Sequence, residues 1–339
     1  KGKKWGGGGG TSGRIRFTHS YDDIISVENL LAAWEEFLRG KRKKKDVQEF
    51  QHRLMDNVLV LHRDLKNGTY RHGAYHAFKI ADPKPRDIHK ASVRDRLLHH
   101  ALYRKLYPFF DCTFIADSYS CRRHKGTHKA MDRFRTFAYQ VSRNHTRTCW
   151  VLKCDIRKFF ASIDQTILLG IVFSYIPDER IVTLIREIVG SFHSTEAGKG
   201  LPLGNLTSQL LVNVYMNEFD QFVKHKLKAK CYVRYADDFV ILSRDKQKLE
   251  SLIPKIVSFL ELRLKLSLHP KKVSITTFAS GVDFLGWVHF PDHRVLRGAT
   301  KRRMLRRMSE GGSEASRTSY RGLLSHGNAR TLAAKIDQL

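Results

Sequence analysis

The sequence predicts an α+β protein, and three observations carry that expectation. Apolar residues recur at helical spacing near the N-terminus and again in the second half of the chain. Short runs that alternate in polarity, such as Trp150-Val151-Leu152-Lys153-Cys154-Asp155, are interleaved with those helices. Two further β-type runs, Cys231-Tyr232-Val233-Arg234 and Phe239-Val240-Ile241-Leu242, bracket Tyr235-Ala236-Asp237-Asp238, which puts two carboxylates at the tip of an expected hairpin.

Residues 1–13 carry the glycine run Gly6 to Gly10, cannot repay ordering entropy, and read as a disordered Gly-rich lead-in. The absence of an initiator methionine reads as a fragment or a processed chain. The glycines lack the strand and helix flanks of a phosphate loop. From Ser26 to Leu65 the pattern Leu30, Leu31, Trp34, Phe37, Phe50, Leu54, Val58 and Leu61 is helical, and the basic run Lys41 to Lys45 separates two helices. Tyr70 to Lys84 reads as extended and ends at Pro83 and Pro85; Val93 to Leu106 reads as a helix stopped by Pro108. Lys125 to Val141 is amphipathic, with Ala130, Met131, Phe134, Phe137 and Val141 on its core face.

In the run at 150–156, Leu152, Cys154 and Ile156 share one face and Lys153 and Asp155 the other, so Asp155 is expected to point away from the core. Helices are expected around Asp164 to Phe173 and Asp178 to Val189. The loop Gly200-Leu201-Pro202-Leu203-Gly204 leads into a long helix from Leu206 to about Lys228. After the acidic hairpin come a helix from Gln247 to Leu262, strands at Leu266 to Ile275 and Val282 to His289, and a helical tail. That tail clusters Lys301, Arg302, Arg303, Arg306 and Arg307; a grip on a nucleic-acid backbone is preferred over a merely solvated helix face.

A chain of 339 residues can hold two or three subdomains. Sixty-one Lys and Arg against 33 Asp and Glu give a formal charge of +28, spread along the chain, which points to a polyanionic partner. Five cysteines without a Cys-x-x-Cys pair read as a reducing compartment. Cys121, His124 and His128 have zinc-like spacing but no fourth ligand nearby. No apolar stretch reaches membrane-spanning length and no signal-like apolar core is present, so a soluble, cytoplasmic protein is expected.

Three carboxylates on two adjacent strands, Asp155 with Asp237 and Asp238, suit paired Mg²⁺ ions, because hard oxygen ligands hold that ion. Nucleotidyl transfer needs one metal to activate a 3′-hydroxyl and another to steady the leaving pyrophosphate, about 3.5–4 Å apart. Alone, Tyr-x-Asp-Asp is a weak pattern, and plain turn residues would satisfy it. Strand-turn-strand context and the upstream Asp155 strengthen it.

From about Ser26 to Arg307 the residues resemble, in order, the reverse transcriptase family. Lys84-Pro85-Arg86 with Arg94-Asp95-Arg96 is similar to the fingers motifs, and Ser118-Tyr119-Ser120-Cys121-Arg122 followed by Lys125-Gly126 to the next. Lys153-Cys154-Asp155-Ile156-Arg157-Lys158-Phe159-Phe160 resembles motif A, Tyr235 to Asp238 motif C, His269-Pro270-Lys271-Lys272 motif D, and Phe284-Leu285-Gly286-Trp287 the primer-grip motif E. The resemblance implies a right-hand polymerase: N-terminal helices and fingers over 14–110, a palm with an interleaved fingers segment over 111–289, and a basic helical thumb over 290–339.

It also implies roles. Asp155 and Asp237 are the metal ligands, Asp238 is a further ligand or local charge, and the Ile156 carbonyl completes a coordination sphere for two Mg²⁺, with Mn²⁺ able to substitute. Lys84 and Arg86 face the triphosphate, Arg86 the better candidate because a guanidinium binds phosphate bidentately. Phe160 matches the steric gate against a 2′-hydroxyl, while Phe159 is assigned to the core. Lys272 matches the lysine that protonates pyrophosphate, with Lys271 as the alternative. Leu203, Gly204 and Gln209 belong to the substrate pocket; Arg122, Phe284, Leu285, Gly286, Lys301, Arg302 and Arg303 to the nucleic-acid track.

Within that family, Gly200-Leu201-Pro202-Leu203-Gly204-Asn205-Leu206-Thr207-Ser208-Gln209 has Leu203 where group II intron and retroviral enzymes usually carry glutamine, and Gln209 where they carry proline. This is similar to the reverse transcriptases of diversity-generating retroelements. That resemblance implies a bacterial or phage-encoded enzyme that copies a template RNA from a DNA or cDNA primer with dNTPs, errs at template adenines, and works with a basic accessory variability protein. The competing expectations are a group II intron-like enzyme, an antiphage defence reverse transcriptase, and a catalytically silent RNA-binding scaffold.

Overall fold

The computed structural model describes residues 15–80 and 85–338; the lead-in at 1–13 and Lys84 lie outside the described residues. The chain is α+β, as its patterning requires. Helix α1 (Tyr21–Ile25) starts on a capping box between Ser20 and Asp23, and Ser26 caps α2 (Val27–Phe37). Next come α3 (Lys45–His52) and α4 (Leu54–Lys66), so the basic run forms the expected break, with Lys45 already helical. Trp34, Phe37, Val58 and Leu61 of this layer are buried.

Strands β1 (His76–Ile80) and β2 (Arg86–Lys90) form an antiparallel hairpin. The sequence pattern predicts extended chain only on the β1 side. Helix α5 (Val93–Thr113), capped by Ser92, runs through Pro108 rather than stopping before it. Proline removes one backbone hydrogen bond, and burial of Leu106, Tyr107 and Phe110 on either side outweighs that loss. Helix α6 (Thr127–Val141) then buries Ala130, Met131, Phe134 and Phe137 as expected.

After β3 (Trp150–Asp155) come α7 (Phe159–Ser162), α8 (Gln165–Phe173, capped by Asp164), α9 (Glu179–Gly190, capped by Asp178) and α10 (Leu206–Gln221). The expected long helix thus leaves α geometry at Gln221 and finishes in a π-type turn, Phe222–Lys226. Strands β4 (Tyr232–Tyr235) and β5 (Asp238–Ser243) follow, then α11 (Lys246–Leu264) and β6 (Ser274–Thr277). The expected strand over Leu266 to Ile275 is mostly loop, touching β3's extension through one bridge, Ile156 to Leu268. The expected strand Val282 to His289 is instead a hairpin, β7 (Val282–Phe284) and β8 (Trp287–His289), because Leu285 and Gly286 both take positive φ, 53° and 90°. Strand β9 (Arg294–Leu296) completes that sheet, and α12 (Gly298–Ser309), α13 (Glu314–Leu324) and α14 (Arg330–Gln338) close the chain.

The central sheet has the order β4-β5-β3-β6 and is antiparallel throughout. It is covered on both faces. Leu152, Cys154, Phe239 and Ile241 join the main core, which includes α5, α10 and α11. Val151, Val233, Val240 and Leu242 join a second core with Phe134, Phe137 and Phe284. The face carrying Asp155 is therefore not an open surface, as strict alternation suggests, but is roofed by α6 and β7. A third cluster, Trp287, Leu296, Met304, Met308, Leu324 and Ile336, seats the C-terminal helices on the small sheet. Among the described residues, no helix is long and apolar enough to cross a membrane, and all five cysteines are free thiols.

Candidate active site

Strand register assembles the acids. Asp155, the last residue of β3, stands directly opposite Asp238, the first residue of β5. Asp237 occupies the two-residue turn with Ala236, whose φ of 55° is left-handed, and its carbonyl accepts from the Ile156 N–H at 3.2 Å. Only Asp237 is thus at the hairpin tip; Asp238 is a strand residue. Like charges facing each other across a ladder repel, so the arrangement needs compensating cations.

Two lysines supply them. Lys272 Nζ lies 3.0 Å from both Asp155 carboxylate oxygens. Its loop hangs on the same residue, since the His269 N–H donates to the Asp155 carbonyl at 2.8 Å and the Lys272 N–H to the His269 carbonyl at 2.9 Å. Lys153 Nζ lies 3.8 Å from Asp238 Oδ2 and donates to the Asp283 carbonyl at 2.5 Å. The compensation is incomplete. Burial, with Asp155 beside it, pushes the Asp237 carboxyl above its usual range against the pull of Lys272 and Arg86. Burial, reinforced by Asp155 and Asp237 and opposed by Lys153, pushes Asp238 up to about 7.

These residues fit a divalent cation by charge and by chemistry. Asp238 Oδ1 is buried with no hydrogen-bond partner, and buried carboxylates such as Asp237 and Asp238, whose ionisation burial suppresses, favour an added positive charge. Among the described residues, no three His, Cys, Asp or Glu side chains are already grouped to hold a metal ion, which applies to Cys121, His124 and His128 as well. Asp155 is instead turned onto Lys272.

Around the residues expected to meet the substrate, the β1–β2 hairpin docks onto the loop before α10. The His89 N–H donates to the Leu203 carbonyl at 3.1 Å, and Asn205 Nδ2 returns to the His89 carbonyl at 3.0 Å. Gly204 is exposed, with φ of 105°, and a Cβ there would lie 3.0 Å from Ile88 Cγ2. Glycine therefore answers both the backbone conformation and the close approach. Half-buried Phe160 holds this loop through its carbonyl, which accepts from the Leu201 N–H at 2.9 Å, while Phe159 is buried beneath it. Gln209 is half-buried in the first turn of α10, and Arg86, at the start of β2, is near enough to act on the Asp237 carboxyl.

The nucleic-acid residues divide. Arg122 is spent inside the protein: Nε donates to Asp111 Oδ1 at 2.7 Å and the remaining nitrogens to the Asp111, Ile115 and Ser118 carbonyls. With its side chain 6% exposed and four of its five N–H donors bound within the protein, it braces the α5–α6 connection rather than facing a phosphate. Phe284 is fully buried against Phe134, so its side chain is core as well. The neighbouring Leu285-Gly286 turn is half-exposed, and the Arg297 N–H binds the Gly286 carbonyl at 3.0 Å, tying this turn to α12. On α12, Lys301 and Arg302 are exposed while Met304 and Met308 are buried; Arg303 is half-buried.

Sequence reasoning places Lys153 on the face of Asp155 but gives it no role, although its spacing two before Asp155 sets it beside the acids. It also passes over Arg234, a fully buried guanidinium one strand away, for which local patterning offers no signal.

A family model for reverse transcriptase (RNA-dependent DNA polymerase) matches residues 80–289. Protein YkfC of Escherichia coli strain K12 is 27% identical over 289 residues, covering 73% of each chain. The group II intron-encoded protein LtrA of Lactococcus lactis is 24% identical over 320 residues, covering 73% of this chain and 51% of LtrA, so the chain spans about half the length of that relative. Among solved structures, apo telomerase from Candida tropicalis, truncated from its C-terminal domain, is similar with a TM-score of 0.49 at 12% identity, covering 72% of this chain and 60% of that one.

Proposed function

The chain belongs to the reverse transcriptase family, the RNA-directed DNA polymerases, with their right-hand α+β architecture and with relatives of the group II intron-encoded type; from that premise we propose that it copies a template RNA into cDNA at the carboxylates Asp155, Asp237 and Asp238. The observation that carries the proposal is the register that sets Asp155 opposite Asp238 with Asp237 in the adjoining turn. Bound there, a pair of divalent ions, Mg²⁺ or Mn²⁺, would supply activation of the primer 3′-hydroxyl and neutralise charge on the leaving pyrophosphate. Asp155 and Asp237 would hold them, aided by the Ile156 carbonyl, with Asp238 as the adjoining charge.

In this reading the other side chains bind and orient. Arg86 and Lys84 neutralise the triphosphate. Phe160 blocks a ribose 2′-hydroxyl, Gly204 lets the backbone approach the nucleotide, and Lys272 carries the proton for pyrophosphate. The Leu285-Gly286 turn and the exposed cations Lys301 and Arg302 hold the primer–template backbone. Residues 14–110 serve as N-terminal helices and fingers, 111–289 as palm with an interleaved fingers segment, and 290–339 as thumb. The site of action is the cytoplasm.

The finer proposal is a diversity-generating retroelement enzyme, error-prone at template adenines and partnered by a basic accessory protein. Leu203 and Gln209 in the loop before α10 support it, since an aliphatic side chain offers shape where glutamine offers a hydrogen bond. The match to LtrA favours a second reading, a group II intron-like enzyme. One experiment tests both: extension of a DNA primer on a mixed-sequence RNA with Mg²⁺ and dNTPs, with product sequencing, beside an Asp237→Ala, Asp238→Ala protein. Extension lost in the variant, with errors concentrated at adenines, is expected. Accurate extension moves the assignment to the intron-like reading, and extension that survives both substitutions removes the catalytic site.

A further inference from the structure

We propose that Arg234, paired with Asp220, is a positioning residue for the catalytic turn: its guanidinium fixes where Asp237 stands relative to Asp155. The proposal rests on reading Asp155 and Asp237 as the metal ligands.

Arg234 lies on β4, three residues before Asp237, and its side chain is 1% exposed; Asp220 on α10 is 0% exposed. The pair is bidentate, with Nε on Asp220 Oδ1 at 2.7 Å and the second contact to Oδ2 at 2.6 Å. The Tyr232 hydroxyl also donates to Asp220 Oδ1 at 2.7 Å, so the carboxylate is locked in orientation. Held in that way, the guanidinium has donors left, and they are used on the site. One nitrogen donates to the Ala236 carbonyl at 3.1 Å, within the left-handed turn itself, and reaches Asn213 Oδ1 at 3.4 Å. The other donates to Ser118 Oγ at 3.1 Å. Asn213 in turn donates to the Ser120 carbonyl at 2.8 Å and to that of Gln209 at 3.4 Å.

The backbone repeats the connection. The Arg234 N–H donates to the Asp117 carbonyl and the Tyr119 N–H to the Arg234 carbonyl, both at 3.0 Å. One planar group thus ties together the 117–120 loop, the pocket helix α10 and the turn that presents Asp237. Burying an ion pair is an inefficient route to stability, because apolar residues of similar volume do as well or better. What a guanidinium adds is five donors in a rigid fork. Here that fork sets the peptide immediately before Asp237, and partners that orient metal ligands govern metal affinity.

The test compares the wild type with Arg234→Lys, which keeps the charge without the fork, and with the paired Arg234→Met, Asp220→Leu variant, which removes both charges and leaves neither orphaned. Each is bound to a chain-terminated primer–template with a dNTP, and Mn²⁺ binding is followed by electron paramagnetic resonance beside the Mg²⁺ dependence of extension. Both variants are expected to weaken Mn²⁺ about tenfold and to raise the half-maximal Mg²⁺ concentration to match, with primer–template affinity unchanged. Wild-type Mn²⁺ affinity in either folded variant overturns the proposal, and loss of folding in both overturns it in favour of a purely structural pair. An Asp237→Asn protein run alongside separates the underlying assumption: if it binds Mn²⁺ as the wild type does, the ligand assignment itself is wrong and the proposal falls with it.

Discussion

Lys272 Nζ stands 3.0 Å from both carboxylate oxygens of Asp155, although 117 residues separate them in sequence. The Asp155 backbone carries the loop that delivers this lysine, so the carboxylate and its cation are placed by one structural unit. An ammonium at this spot compensates the charge of Asp155, and the proposed role adds that it carries the proton for pyrophosphate. Lys272→Ala is therefore expected to slow single-turnover extension about 100-fold, the scale of a missing general acid. Lys271→Ala should remain near the wild-type rate, and equal losses in the two would remove the assignment of Lys272.

Asp238 predicts a pH dependence of stability. Its carboxyl titrates near 7 in the fold, against an ordinary value of 3.8. Between those values the folded state binds more protons than the unfolded state, so stability falls as pH rises through that window. The favourable contribution is complete below the unfolded value and gone above the folded one. Metal-free protein should lose on the order of a few kcal/mol from this group between about pH 4 and pH 8. Asp238→Asn should flatten the slope and raise the melting temperature at the upper end of that range. A variant with the wild-type slope would show that Lys153 already compensates the buried charge in full.

What the sequence revealed, and what it hid, follows from the range of the interactions. Asp155 was legible because strand alternation is local, and Asp237 because a two-residue turn is local as well. The pairing that makes them a site is a register between strands far apart in the chain; that the strands are adjacent was expected, but the register that sets Asp155 opposite Asp238 was not legible locally. Arg122 and Phe284 look like contact residues in a string of motif letters, yet the first is consumed by Asp111 and nearby carbonyls and the second by Phe134. Pro108 shows the same limit from the other side. Its local rule is sound, but burial of Tyr107 and Phe110 around it decides the outcome.

The exposed cations of α12 predict a salt signature. Lys301 and Arg302 are exposed, whereas Met304 and Met308 of the same helix are buried in the C-terminal cluster, so removal of the two cations should spare the fold. Every backbone phosphate that a side chain no longer neutralises makes the slope of log affinity against log salt shallower by about 0.9 on a duplex. Lys301→Ala with Arg302→Ala is expected to reduce that slope by about 1–2 and to weaken all primer–template sequences alike. An unchanged slope would make this helix face a solvated surface only.

Leu203 carries the prediction on fidelity. Its carbonyl is held by the His89 N–H of the hairpin, so the backbone position is set independently of the side chain. Leu203→Gln should therefore keep the loop in place while adding a hydrogen-bonding group over the nascent base pair. Discrimination by shape alone separates similar ligands weakly, whereas an added polar group penalises any partner that leaves it unpaired. The variant is expected to lower misincorporation at template adenines about tenfold, with extension at the other template bases nearly unchanged. Sequencing products from one mixed RNA template measures both quantities together. An unaltered error spectrum would mean that Leu203 does not set base selection, and that any adenine-specific error originates elsewhere in the pocket.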